Sequence, residues 1–339
     1  MFSRPYLSTH YSQKNRKEET VTQTLSIGGL KIAKSLHDFI VEEVLPGTDI
    51  APPSFWSKFE ALATTLVPVN RALLVKRDEL QGKIDAWHVA HRGKPLDFTA
   101  YKAFLTEIGY LLPDAAPFTI STEKVDAEIA QIAGPQLVVP ITNARYALNA
   151  VNARWGSLYD ALYGTDALPG QPEGTGFDAK RGAQVIAYAR QLLDEVAPLT
   201  QGSHADASLY AIENGQLTVH MPGGSKVGLV TPQIFAGYRG NTEAPEGILL
   251  KHHGLHLEIV VKHDHPVGKT DKAGVADLLL ESAITTIMDL EDSVACVDAE
   301  DKVQAYRNWL GLCKGTLTAE LEKNGKKITR AMNPDRVYQ

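Results

Sequence analysis

Asp289 and Glu291 stand in the run Ile287-Met288-Asp289-Leu290-Glu291-Asp292-Ser293. Read as a strand over 285–291, alternate side chains share a face. The two carboxylates then point one way, while Met288 and Leu290 point the other, under covering helices. Two acids on an otherwise buried strand are costly without a cation or hydrogen-bond donors. A divalent metal, or waters held on one, would offset that cost. Such a pair suits metal-assisted chemistry at the C-terminal end of a barrel strand. The plainer reading, a cap on the helix that follows, suits Asp292.

A second group is Gly134-Pro135-Gln136-Leu137-Val138-Val139-Pro140, followed by Asn143, Arg145 and Tyr146. The apolar run predicts a strand buried on both faces. Asn143 is a candidate cap for a helix running from 144 to about 163. Free N–H groups and Arg145 in its first turn favour an anion, and Tyr146 can stack on a base or cover a pantetheine arm. Taken alone, an arginine in a first helical turn is usually just solvated.

Other groups carry less. His252 and His256, read on one face of one strand, would lie about 13 Å apart, too far to share a zinc ion. Gly237-Tyr238-Arg239-Gly240 reads as a turn, and no glycine-rich nucleotide loop follows a strand. Cys296 and Cys313, both placed in a helix, read as core residues. Two cysteines are too few for a disulfide framework, so a reducing cytoplasm is expected. The net charge of −6 favours neither nucleic acid nor an anionic membrane as partner. No apolar run reaches the roughly 20 residues that cross a bilayer.

The elements that must position these residues follow from periodicity and punctuation. Helices are expected at 31–45, from Ser54 to about 66, from Asn70 to about 91, and at 99–108, with antiparallel packing between neighbours. Residues 179–196 predict another helix. Strands at 208–213 and 216–221 flank an Asn214-Gly215 turn, and residues 254–262 alternate as a half-buried strand. A helix at 274–284 should lead into the acidic strand, with another helix from 293 to 312 and a hairpin at 323–326. Residues 1–17 carry Arg4, Lys14, Arg16 and Lys17 and no acid. They faintly resemble a transit peptide but lack a secretory apolar region, and a disordered extension over 1–25 is expected.

Two parallel β/α units separated by about 120 residues of other character suggest an insertion within a barrel. The expected fold class is α/β: an incomplete TIM (β/α)8 barrel with an N-terminal helical clasp and an inserted α+β domain. The clasp is placed at 26–115, the first barrel unit at 116–163, the inserted domain at 164–273, the second barrel unit at 274–314, and the start of a return to the inserted domain at 315–339.

Several stretches together resemble the malate synthase G family, in the family's order and from about residue 26 onward. They are Val41-Glu42-Glu43-Val44-Leu45-Pro46-Gly47-Thr48, Ala133-Gly134-Pro135-Gln136-Leu137-Val138-Val139-Pro140, Asn143-Ala144-Arg145-Tyr146-Ala147-Leu148-Asn149-Ala150 and Asn152-Ala153-Arg154-Trp155-Gly156-Ser157-Leu158-Tyr159-Asp160, with Glu291-Asp292-Ser293-Val294-Ala295 further on. The resemblance implies condensation of acetyl-CoA with glyoxylate and water to give malate and CoA, the glyoxylate-cycle reaction, with Mg2+ as cofactor. It implies acetyl-CoA contacts at Val138, Arg145, Tyr146, Ser293 and Arg330. It also places Asp289 and Glu291 near the metal and glyoxylate, holding bound water or an arginine rather than the metal itself. The family's catalytic arginine, base aspartate and two direct Mg2+ carboxylates fall beyond Gln339. The expectation is therefore a chain inactive alone, with a complementary C-terminal chain as a conceivable partner. A citrate-lyase β-like CoA-ester lyase and a non-catalytic product, or half of a split enzyme, are the alternatives.

Overall fold

The computed structural model describes residues 23–339 except 175 and 324. Residues 1–22, most of the expected extension, lie outside the described residues. The chain divides into two compact units, one ending at Ser121 and including Asp298–Val303, the other holding Thr122–Val297 and Gln304–Gln339.

The first unit begins with the hairpin β1 (Thr24–Ile27) and β2 (Leu30–Ala33), followed by α1 (Lys34–Phe39), a π-helical turn at Ile40–Val44, α2 (Pro52–Ala90) and α3 (Phe98–Glu107). Thr24 and Leu25 are thus strand, not extension, and the helix expected from 31 starts three residues later. The two helices expected on either side of Pro68 are one helix of 39 residues. Pro68 removes one helical donor, but the surrounding residues are exposed, so water can serve the carbonyl left over. Pro52 and Pro53 open this helix with no side-chain cap from Ser54.

In the second unit the elements are α4 (Ala127–Ala130), β3 (Gln136–Pro140), α5 (Ala144–Asn152), β4 (Trp155–Ser157), α6 (Leu158–Gly164), α7 (Ala179–Val196), β5 (Leu209–Glu213), β6 (Gln216–His220), β7 (Lys226–Val227), β8 (Phe235–Gly240), β9 (Pro245–His252), β10 (Leu255–Val261), β11 (Val275–Glu281), β12 (Thr285–Asp289), α8 (Ala299–Cys313), β13 (Ala319–Lys323) and β14 (Lys326–Arg330). The helix expected over 144–163 is broken. The helix α5 ends at Asn152, β4 intervenes, and Ser157 Oγ caps α6 by accepting from Asp160 N at 2.9 Å.

An antiparallel sheet runs β4-β11-β10-β9-β8. Its member β11 replaces the helix expected at 274–284. Ala and Leu favour helix, yet β11 is bonded to β10 on one edge and β4 on the other, and burial in a central strand overrides propensity. Gly237-Tyr238-Arg239-Gly240 lies in β8, not in a turn. The β9–β10 hairpin turns at His253 (φ 50°) and Gly254 (φ 81°), so His252 and His256 sit on different strands. The sheet and the β5-β6-β7 sheet share a core with α6 and α7, built on Leu193, Val219, Ile248, Ile259 and Leu278, each 0% exposed.

A separate, smaller layer holds the acidic strand. Here β3 and β12 pair in parallel, with Val138 opposite Ile287 and Pro140 opposite Asp289. Gly134 allows the approach, since a Cβ there would meet Ile284 at 2.3 Å. One face packs on α5 and α8 through Ile141, Ala147, Leu148, Ala305 and Leu312, with Met288 and Leu290 against them. The other face is open: Val138 is 59% and Ile287 45% exposed. The strands are therefore not buried on both faces as expected.

Candidate functional site

Asp289 is the last residue of β12, and Glu291 lies beyond the strand, exposed. The expected pairing of the two on one strand face is thus incorrect: the strand ends before Glu291, and the chain turns. Asp289 causes that turn. Its Oδ1 accepts from Glu291 N at 3.0 Å, while its Oδ2 accepts from Ser293 N at 2.8 Å and from Ser293 Oγ. The Ser293 hydroxyl and the Glu291 and Ser293 amides hold the Asp289 carboxyl down at about 2. The Asp289 carbonyl also accepts from Ile141 N at 3.1 Å, tying this turn to the loop after β3.

Because the folded pKa is depressed, the turn is held at any pH above the ordinary carboxylate value of about 3.8. It is released as pH falls from there through about 2. The Ser293 amide is expected to keep its native chemical shift at pH 4 and to lose it progressively as pH falls through about 2. A shift that stayed unchanged to pH 2 would show that another group holds the turn.

Ser293 lies in this turn, not in a helix, and is exposed. The helix expected from 293 starts at Ala299 instead, and Asp298 Oδ1 caps it by accepting from Asp301 N at 2.9 Å. Asp292 therefore caps nothing. Cys296 precedes the helix and packs against the small core, whereas Cys313, at the helix end, is exposed rather than core.

The β3 end leads into α5, which Asn143 caps by accepting from Tyr146 N at 3.2 Å. Arg145 and Tyr146 occupy its exposed first turn, the guanidinium 5.5 Å from the ring centroid. Arg330, at the end of β14, donates from Nη1 to Asn149 Oδ1 at 2.5 Å, on the same helix. A cleft of 590 Å³ lies there between α5 and residues 328–333. Val138, Arg145, Tyr146 and Arg330 therefore all lie on β3 or against α5, and Ser293 is tied to the loop between them through Asp289.

Two buried acids that sequence patterning did not single out anchor the neighbouring sheet. Glu258 on β10 is 0% exposed. Its Oε1 accepts from Arg239 Nη2 at 2.6 Å, and its Oε2 from Arg336 Nη2 and Tyr338 Oη, each at 2.6 Å. Glu281 on β11 accepts from Arg154 Nη2 at 2.8 Å and from His256 N at 2.7 Å. Burial pushes its carboxyl up, but the His256 and Arg154 bonds outweigh that and leave it below the ordinary range. Neither acid resembles a metal site, and no group of three or more His, Cys, Asp or Glu side chains that could hold a metal occurs among the described residues.

Comparison with known proteins finds similar sequences along most of the chain. Residues 35–98 match the model "Malate synthase, N-terminal domain", and residues 177–252 match "Malate synthase G, alpha-beta insertion domain". Malate synthase G of Halalkalibacterium halodurans is 54% identical over 315 residues, 92% of this chain and 43% of that protein. The Corynebacterium glutamicum protein of that name is 51% identical over 94% of this chain and 43% of its own length. That of Corynebacterium efficiens is 49% identical over 94% and 42%. The chain is similar to these malate synthase G proteins along more than nine tenths of its own length and spans less than half of theirs.

Proposed function

We propose that this sequence contributes the acetyl-CoA-facing part of a malate synthase, which condenses acetyl-CoA with glyoxylate and water to malate and CoA. The observation that carries the reading is the identity of 49–54% along some 93% of the chain. The placement of Arg145 on α5 and of the Arg330 guanidinium against the same helix supports it. In this reading β3 and β12 are two staves of a TIM barrel, the first unit is the helical clasp, and the Glu258 sheet belongs to the inserted domain. The insertion-domain match favours this over a citrate-lyase β-like CoA-ester lyase.

Chemically, a thioester α-proton is a weak acid, so its enolate needs nearby positive charge. Arg145 and Arg330 supply cationic donors suited to phosphates of the CoA portion, and Tyr146 offers a ring to an adenine or pantetheine. Val138 presents an apolar contact on the open strand face. Asp289 fixes Ser293, an exposed residue whose hydroxyl it engages. Mg2+ belongs to the proposed reaction, but Asp289 has both oxygens engaged in its turn and Glu291 stands away from the strand. These residues do not form a direct cation site, and no step is assigned through one. The cytoplasm is the proposed compartment, and no helix of the described residues is long and apolar enough to cross a membrane.

The test is calorimetric titration of the 339-residue chain with acetyl-CoA. Binding is expected, weakening about tenfold in Arg145→Ala, the scale of one charge-assisted hydrogen bond. Binding that Arg145→Ala leaves unchanged would remove this residue from the site.

A further inference from the structure

Arg145, Asn149 and Asn152 recur at i, i+4 and i+7 and form one stripe of α5. The rest of the helix surface carries the buried Ala147, Leu148 and Ala150. The polar stripe is not simply solvated. Asn149 Oδ1 accepts from Arg330 Nη1 at 2.5 Å. Asn152 Oδ1 accepts from Asn333 N at 2.7 Å, and Asn152 Nδ2 donates to Ala331 O at 2.9 Å. Two asparagines one helical turn apart thus grip the segment 330–333 by one side chain and two backbone groups.

We propose that Asn149 is a positioning residue for the CoA portion of the substrate. It fixes the Arg330 guanidinium on the helix stripe that Arg145 begins, while Asn152 holds the backbone that follows. This rests on the reading that Arg330 meets acetyl-CoA. The residue type fits the task. An asparagine carbonyl orients a guanidinium without cancelling its charge, whereas a carboxylate in its place would neutralise the cation meant for a phosphate. Only one Arg330 nitrogen is engaged among the described residues. Its Nε and Nη2 donors stay available to an anion, in the planar fork that suits phosphate. A free arginine of this length would have to be ordered at the moment of binding; one already held by Asn149 is not, and the difference appears as affinity.

The experiment is calorimetric titration of CoA into the 339-residue chain and its variants. Arg330→Ala and Asn149→Ala are each expected to weaken binding about five- to tenfold. The double variant should be no weaker than Arg330→Ala alone, because Asn149 acts only through that guanidinium. Asn149→Gln keeps the acceptor oxygen and should recover most of the affinity, a rescue that a merely structural role would not predict. Additive losses in the double variant, or an unaffected Asn149→Ala beside a weakened Arg330→Ala, would overturn the positioning role and leave the site reading standing. Failure of the unsubstituted chain to bind CoA would overturn both.

Discussion

Replacing Glu258 with alanine is expected to lower the unfolding free energy by about 3 kcal/mol, the low end of the range of about 3–5 for breaking a buried ion pair from one side. The side chain is wholly buried, yet Arg239 and Arg336 are about 30% exposed, so water can partly serve them once the acid is gone. The loss has two sources. Two guanidiniums and the Tyr338 hydroxyl lose their acceptor, and residues 336–339 lose their anchor. Gln339 N donates to Tyr238 O at 2.9 Å, and Tyr238 N donates to Gln339 O at 3.2 Å, extending β8. Gly237 makes room, since a Cβ there would lie 2.8 Å from Gln339 O. Burial and the Glu258 carboxylate push the Tyr338 hydroxyl up to about 12. In Glu258→Ala that second cause disappears, so the tyrosine should titrate earlier. Urea denaturation checks the stability, and ultraviolet titration of the phenol checks the tyrosine. A loss under about 1 kcal/mol would mean that the cluster is solvated and contributes little.

Leu148→Ala should cost a comparable amount, about 3 kcal/mol within the range of about 2–5 for such core truncations. Leu148 is 0% exposed and seats α5 on β12 and α8 together with Ala147, Ile141, Ala305 and Leu312. That core is far smaller than the one beneath the five-stranded sheet, so it has little with which to close the cavity. The destabilisation should be local. Hydrogen exchange is expected to accelerate at the amides of α5 while those of α7 stay protected, and CoA binding should fall with α5. Uniform acceleration across both helices would show that the two cores unfold as one.

Local chemistry was legible where the signal was local. Asn143 caps α5, and Asn214 (φ 53°) with Gly215 (φ 74°) turns the β5–β6 hairpin. The β3 strand and α7 also fall where periodicity puts them. Ser157 followed by Asp160 was a readable start signal for α6, obscured because Ala144 to Tyr163 seemed one apolar-periodic run. The β11 strand was not legible, because leucine and alanine become strand there only through partners on both edges. Glu258 is the sharpest case. The alternation of β10 assigns it to a solvent face, yet Arg336 and Tyr338, about 80 residues onward, cover it. The same holds for Arg330 on Asn149, 181 residues apart. The acidic pair failed for a shorter-range reason. Asp289 ends its own strand by capturing the amides that follow, so Glu291 cannot share its face.

These residues are proposed to serve malate synthase chemistry. A chimera in which they replace the matching 43% of the Halalkalibacterium halodurans relative measures that directly, by release of free CoA from acetyl-CoA. Release that requires glyoxylate, with the unjoined 339-residue polypeptide silent in the same assay, is the predicted result. A folded chimera that releases no CoA, or releases it equally without glyoxylate, would contradict the claim.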